Sequence, residues 1–278
     1  MALQLQIVGN AMQMAVVQLQ PGQTVYSEAG KFLFKTTNVS MDTRLTSPTG
    51  GGQGFPGQQG QGQGQQGGMG GLLRQAMGTA MQVGQRMLAG ESVAFQYFTA
   101  QGSEGTLGFA GHIPGEMRAL ELDGSRAWLA EKDAFIAAES GVDFGIAFSG
   151  LRAGMRGGEG FVLERFTGRG TVLIGGAGNF IDLELQDFGG ALQVHTGCIV
   201  AFEEGISYDV QRIGALNRQG MMNAMFGGDG LSLATLQGHG KVILQSMTLE
   251  GLANALRKAE SGGDKEGPTG GLFSTRVE

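Results

Sequence analysis

The chain lacks most of what common chemistries and membrane attachments require. Its one cysteine, Cys198, excludes an intrachain disulfide and any Cys-x-x-Cys metal site. That thiol sits in the apolar run Gly197-Cys198-Ile199-Val200 and reads as a small buried hydrophobe. Charged residues make up only 16% of the chain, and 19 Lys+Arg against 25 Asp+Glu leave a formal net charge of −6 with no basic run. Phosphate neutralisation by Lys and Arg supplies most non-specific affinity for nucleic acid, so nucleic acid is excluded as an expected partner. No stretch of about 18 apolar residues is present to span a bilayer. The first basic residue is Lys31, so no positively charged segment opens a signal peptide. A soluble cytoplasmic protein is expected. Nucleophile motifs are missing too, since no Gly-x-Ser-x-Gly occurs. Gly175-Gly176-Ala177-Gly178 lacks the spaced glycines of a dinucleotide loop and leads into the strand-like Phe180–Leu185, not a helix. No enzyme activity and no cofactor are expected.

What the chain has in excess is glycine, 53 of 278 residues, against roughly 7% in ordinary proteins. No every-third-residue period runs through it, which excludes collagen, and 41% hydrophobic residues argue against a disordered chain. One tract, Gly50 to Gly71, is a low-complexity mixture of Gly and Gln; elsewhere glycine punctuates short apolar runs.

Those runs repeat. Val17-Gln18-Leu19-Gln20 is echoed by Leu120-Glu121-Leu122-Asp123 and Leu183-Glu184-Leu185-Gln186, each followed by a turn signal. Phe32-Leu33-Phe34 is echoed by Phe135-Ile136-Ala137 and Ile199-Val200-Ala201, and Glu91, Glu159 and Asp229 each stand in a Gly-rich turn. The same offset of 103 residues separates Val17 from Leu120 and Phe32 from Phe135. The acidic positions lie only 68 and then 70 residues apart, so the first copy carries an insertion, the Gly/Gln tract. Runs of period two broken by Gly, such as Phe161–Phe166, Gly168-Arg169-Gly170 and Thr171–Ile174, read as hairpins. The third copy reads likewise, with Leu231–Leu236, the turn Gly238-His239-Gly240 and Lys241–Leu244. The expected fold is all-β: three pseudo-symmetric modules over about 5–115, 116–178 and 179–247 in a single domain, 1–258. A loop insertion at 47–71 and a flexible tail at 259–278 complete the plan. One or two short accessory helices are expected, from a stretch carrying Leu73, Met77, Met81 and Met87 and from 248–258 with Leu249, Leu252, Ala253 and Leu256 on one face.

Two groups of residues invite function. The carboxylates Glu91, Glu159 and Asp229 are candidate ligands for a hard cation if three modules bring them together. The simpler reading is that each accepts N–H groups of its own Gly-rich turn. The three histidines give no ligand spacing: His239 is at a turn, His195 aligns with Glu28 and Glu131, and His112 stands alone in Gly111-His112-Ile113-Pro114-Gly115. Of fourteen methionines, eight stand in the stretches before the acidic turns. Leu73, Met77, Met81 and Met87, then Met155, then Met221, Met222 and Met225 form adaptable apolar arms suited to self-association or to a protein or membrane-surface partner.

The run Gly158-Glu159-Gly160 through Phe166-Thr167-Gly168-Arg169-Gly170 resembles the altered-inheritance-of-mitochondria protein 24 family (AIM24 family). The segment Leu88-Ala89-Gly90-Glu91-Ser92 through Phe98-Thr99-Ala100 and Pro114-Gly115 leading into Leu120-Glu121-Leu122 carry the same likeness. It extends from about residue 5 to 257, apart from the Gly/Gln insertion. The resemblance implies a fold like the tryptophan RNA-binding attenuation protein (TRAP-like, a short double-stranded β-helix or sandwich) and an oligomeric tendency. It also implies a link to membrane organisation or stress response. It carries over no catalytic residues, and RNA binding does not follow from the fold. The expected function is a non-enzymatic homo-oligomeric scaffold or assembly protein, a trimer or ring. The alternative is a small-ligand or divalent-cation-binding protein using the repeated carboxylates.

Overall fold

The computed structural model describes residues 3–44, 94–148, 162–212 and 232–262. The first stretch holds β1 (Gln4–Val8), β2 (Met14–Leu19), β3 (Thr24–Glu28), β4 (Phe32–Lys35) and β5 (Val39–Arg44). Next come β6 (Phe95–Ala100), β7 (Gly105–Ala110), β8 (Met117–Asp123), β9 (Trp128–Glu131), β10 (Phe135–Glu139) and β11 (Val142–Phe148). The third stretch has β12 (Val162–Gly175), β13 (Phe180–Glu184), β14 (Ala191–His195), β15 (Ile199–Glu203) and β16 (Ser207–Arg212). The last has β17 (Ser232–Gln237), β18 (Lys241–Gln245) and the helix α1 (Leu249–Gly262). The fold is all-β with antiparallel sheets and, among the described residues, one α-helix.

Strands form where the sequence alternates. In β2, Val17 and Leu19 are buried while Gln18 faces outward, and in β8 Leu120 and Leu122 are buried around an exposed Glu121. Three like pairings follow. β7 lies between β2 and β4, the C-terminal half of β12 between β8 and β10, and β18 between β13 and β15. In each, the strand after the turn carries a bulge at the same place, centred on Leu33, Ile136 and Val200. A second set is β3 with β6 and β5, β9 with the N-terminal half of β12 and β11, and β14 with β17 and β16.

The hairpins expected at Gly168-Arg169-Gly170 and Gly238-His239-Gly240 are not there. β12 runs unbroken through the first, and β17 and β18 pair with different strands instead of each other. Gly170, Gly238 and Gly240 have φ of +139°, +131° and +139°, which bends an extended chain from one sheet to the next without reversing it. Each corner is clamped by a side chain: the N–H of Thr106 donates to Thr36 Oγ1 (3.1 Å), that of Thr171 to Glu139 Oε2 (2.8 Å), and that of Lys241 to Glu203 Oε2 (3.3 Å).

Three apolar clusters fill the space between sheets. The central one packs Tyr26, Phe95, Phe135, Phe144 and Phe166 against one another, with ring centroids 5.1 Å apart for the edge-on pair Phe95–Phe144 and 5.3 Å for the tilted pair Phe135–Phe166. A second gathers Val17, Leu19, Phe98, Leu107 and Phe109; a third gathers Leu163, Leu185, Ile199, Phe202 and Val242. α1 begins where Thr248 Oγ1 accepts the N–H of Gly251 at 2.9 Å. It continues beyond the expected end at residue 258, because Ala259 and Glu260 favour helix and no breaker intervenes before Gly262. The Gly/Gln tract, the expected helix over Leu73–Met87 and the tail from residue 263 lie outside the described residues.

Candidate functional site

The strand order leaves a seam. β3 pairs with β10, matching Ser27 with Ala137, Tyr26 with Ala138 and Val25 with Glu139. β9 pairs with β15 in the same way, matching Ala130 with Ala201, Leu129 with Phe202 and Trp128 with Glu203. These contacts create two six-stranded runs, β8-β12-β10-β3-β6-β5 and β13-β18-β15-β9-β12-β11. The remaining strands form separate sheets, β1-β2-β7-β4 and β14-β17-β16, which end on β4 and β14. β4 and β14 are the strands that correspond to the partners in the two formed contacts, yet they do not pair with each other.

Exposure follows. Ile136 and Ala137 in β10 are 1% and 4% exposed, and Val200 and Ala201 in β15 are 1% and 0%. Leu33 and Phe34 in β4 are 49% and 41% exposed. Among the described residues, β10 and β15 each have a strand beside their outer edge and β4 has none.

Near the seam, the turns before β4, β10 and β15 open onto one cavity of about 700 Å³. Its apolar wall includes Met117, Ala134, Ile136, Ile199 and Val200, all buried. Lys31, 5% exposed, also lines it, as do His112, Glu131, Asp133 and His195, with Leu249 and Ala253 of α1 over one side. Burial, then the nearby Lys31 charge, hold the His112 pKa below its ordinary value, while Asp133 opposes them. His195 Nδ1 accepts the N–H of Gly197 at 3.2 Å, which leaves Nε2 as its N–H. Glu131 Oε2 accepts the N–H of Asp133 at 3.0 Å, and Glu116 Oε2 accepts that of Phe180 at 3.1 Å.

Sequence-predicted residues fare unevenly. Glu91, Glu159 and Asp229 lie outside the described residues, as do Leu73, Met77, Met81, Met87, Met155, Met221, Met222 and Met225. The strands that flank these segments are paired up to their ends, Arg44 with Phe95, Phe148 with Val162 and Arg212 with Ser232. His112 and His195 meet at one cavity, while His239 lines a separate cleft of about 440 Å³ with Arg126, Glu203 and Lys241. Among the described residues no group of His, Cys, Asp or Glu could hold a metal ion. Cys198 is half-buried and its pKa is raised by burial, which suits an inert thiol. Among the described residues no helix is long and apolar enough to cross a membrane. Lys31 and the seam escaped the sequence reading, although Lys31 replaces a small apolar residue, Ala134 or Cys198, at the head of the echoed strand.

Comparison with known proteins adds the family. A model of the family described as mitochondrial biogenesis AIM24 matches residues 5–247. The chain belongs to the AIM24 family. Its similarity to an uncharacterised protein of Streptococcus pyogenes serotype M6 is 26% identity over 243 residues, covering 87% of this chain and 84% of that one. The X-ray crystal structure of a Streptococcus pyogenes protein shares the fold, with TM-score 0.65 and 22% identity over 92% of this chain and 99% of the other. The resemblance of the Gly-based motifs to the AIM24 family is thereby borne out, and so is the all-β fold.

Proposed function

We propose that this AIM24-family protein is a non-enzymatic assembly protein, built of three like modules, whose copies join edge to edge: β4 of one copy adds to β14 of the next. The observation that carries the reading is the unmade third contact. Two contacts of one register are formed within the chain, and the residues for the third stand on two edges that no described strand covers, one of them apolar and exposed. Carrying the register across pairs Phe34 with Val194, Lys35 with Gln193 and Thr36 with Leu192. Each copy then offers one donor and one acceptor edge, a head-to-tail contact that closes into a ring when the rotation allows. Main-chain hydrogen bonds supply affinity, and the alternate side chains supply register.

Charge at Gln193, an exposed residue, tests this without touching the core. Gln193→Lys sets a like charge opposite Lys35 of the neighbouring copy, and Gln193→Glu sets an opposite one. Cross-strand charge pairs are worth roughly 0.2–1 kcal/mol each way, so association should differ roughly two- to thirtyfold between the variants. Light scattering across a dilution series should show wild-type oligomers that Gln193→Lys weakens and Gln193→Glu strengthens. A wild-type monomer at tens of micromolar, or equal association of both variants, contradicts the reading.

A further inference from the structure

A second kind of contact accompanies the two edge pairings, at the heads of the like strands β2, β8 and β13. The Gln13 N–H donates to Gly115 O at 3.1 Å and the Glu116 N–H to Gly178 O at 3.0 Å. In return, Gln13 Oε1 accepts the N–H of Met117 at 2.7 Å and Glu116 Oε2 accepts that of Phe180 at 3.1 Å. Met117 and Phe180 stand opposite Gly175 and Gln245 as Met14 stands opposite Ala110, so the three hold one place in three sheets. Each head therefore reaches forward onto the outer edge of the next like strand, first β8 and then β13.

The series stops at its third step. Carried on, it would bring Asn179 onto the outer edge of β2, with its N–H on Met12 O and its side-chain oxygen on the N–H of Met14. Instead the Asn179 N–H donates to Ser246 Oγ at 2.9 Å. The outer edge of β2 is taken by β1, which sets Val8 opposite Met14 and Leu5 opposite Val17. Among the described residues, the corresponding edges of β8 and β13 carry no such strand. Leu5 and Ile7 pack β1 onto the cluster of Val17, Leu19 and Phe109 and so hold it in place. A strand edge already paired has no main-chain groups left for another partner. We propose that β1 is a blocking strand: it fills the place on β2 that the head of β13 would take, so one chain cannot close on itself, and β4 and β14 stay available to other copies. Within a chain the two formed head contacts fix where the third head must arrive, whereas two separate copies can pair their edges with the heads apart. The inference rests on the edge-to-edge reading for what the edges then do.

Cross-linking tests whether β1 decides where the edges meet. In a Cys198→Ala background, Lys35→Cys and Gln193→Cys face each other when β4 and β14 pair, within disulfide reach. In dilute protein a bond within the chain outcompetes one between copies wherever both edges of a chain can meet, because linked groups act at about millimolar effective concentration; it is absent where geometry keeps them apart. Gln6→Pro, at an exposed position in the middle of β1 and opposite Val16, removes a main-chain donor and should detach β1 without changing a buried side chain. Mild oxidation and non-reducing electrophoresis should show bonds between copies when β1 is intact, and a cross-linked monomer as the main product once Gln6→Pro is added. Should Gln6→Pro fail to fold, Gln4→Pro, at the outer end of β1, should shift the product the same way to a smaller extent. A cross-linked monomer on detaching β1, with no bond at all in the intact chain, would support blocking while contradicting the edge-to-edge reading. Bonds between copies alone whether or not β1 is detached, a cross-linked monomer from the intact chain, or no bond from either would overturn the proposal.

Discussion

Phe34 and Ala137 hold the same place in two sheets: each follows a one-residue bulge, and they pair with Gly108 and Leu173 respectively. Ala137 is buried because β3 lies beside it at Ser27, whereas Phe34 is 41% exposed because no described strand lies beside that edge of β4. The difference resides in tertiary pairing and not in strand propensity. Burying the exposed part of Leu33 and Phe34 would supply favourable energy at about 25 cal/mol per Å² of apolar surface, in addition to main-chain hydrogen bonds. An edge of this kind is either covered or prone to pairing with another chain.

The corner clamps should be worth more than ordinary surface hydrogen bonds. Thr171 is fully buried, and its N–H depends on Glu139, which also accepts Gln23 Nε2 at 3.0 Å. Removing the acceptor strands a buried donor, at about 1–3 kcal/mol. Glu139→Ala is expected to lose that much in urea unfolding, while Glu104→Ala, which removes an exposed bond to Gln20, should stay within about 0.5 kcal/mol of wild type. Equal losses would show that the clamp is incidental.

Much of the strand plan was legible because it depends on period-two burial, visible in Val17-Gln18-Leu19 and Leu120-Glu121-Leu122. The bends at Gly170 and Gly240 were misread as hairpins because glycine permits both a tight reversal and an extended bend, and only the partner strands decide between them. Glu139 and Glu203 were missed as a pair because Thr36 stands at the corresponding place in the first copy; the shared feature is a side-chain oxygen, not a charge. Lys31 could have been noticed by setting Lys31-Phe32 against Ala134-Phe135 and Cys198-Ile199. Its burial depends on contacts far apart in sequence.

One ion pair gives the acid response a sign. Arg165 Nε and Nη2 donate to Glu204 Oε1 and Oε2 at 2.7 and 2.8 Å. These hydrogen bonds hold the Glu204 pKa below its ordinary 4.5, against a smaller opposing effect of burial. In acid the folded chain therefore binds fewer protons at this site than the unfolded chain. The stabilisation is complete above about pH 4.5 and is lost as pH falls through the folded-state value. Both side chains are about two-fifths exposed, so the pair is worth no more than about 1 kcal/mol and is screened by salt. Arg165→Gln should make the decline in stability between pH 5 and 3 shallower in low salt, a difference that shrinks at about 1 M salt. A decline as steep as wild type at both salt levels would remove the pair from the acid response.

The seam can be tested by asking which chain covers it. With Cys198→Ala as background, Lys35→Cys and Gln193→Cys place thiols at positions that the register sets opposite each other, and facing residues in an antiparallel pair lie about 4.5–5.5 Å apart at Cα, within disulfide reach. Two single-cysteine proteins, mixed and mildly oxidised, can form the Lys35→Cys to Gln193→Cys bond only between copies. The measurement is non-reducing electrophoresis of that mixture beside the double variant. The account predicts a covalent heterodimer from the mixture and a ladder of oligomers from the double variant; no heterodimer from the mixture, with a cross-linked monomer from the double variant, would show that the seam closes within one chain and contradict it.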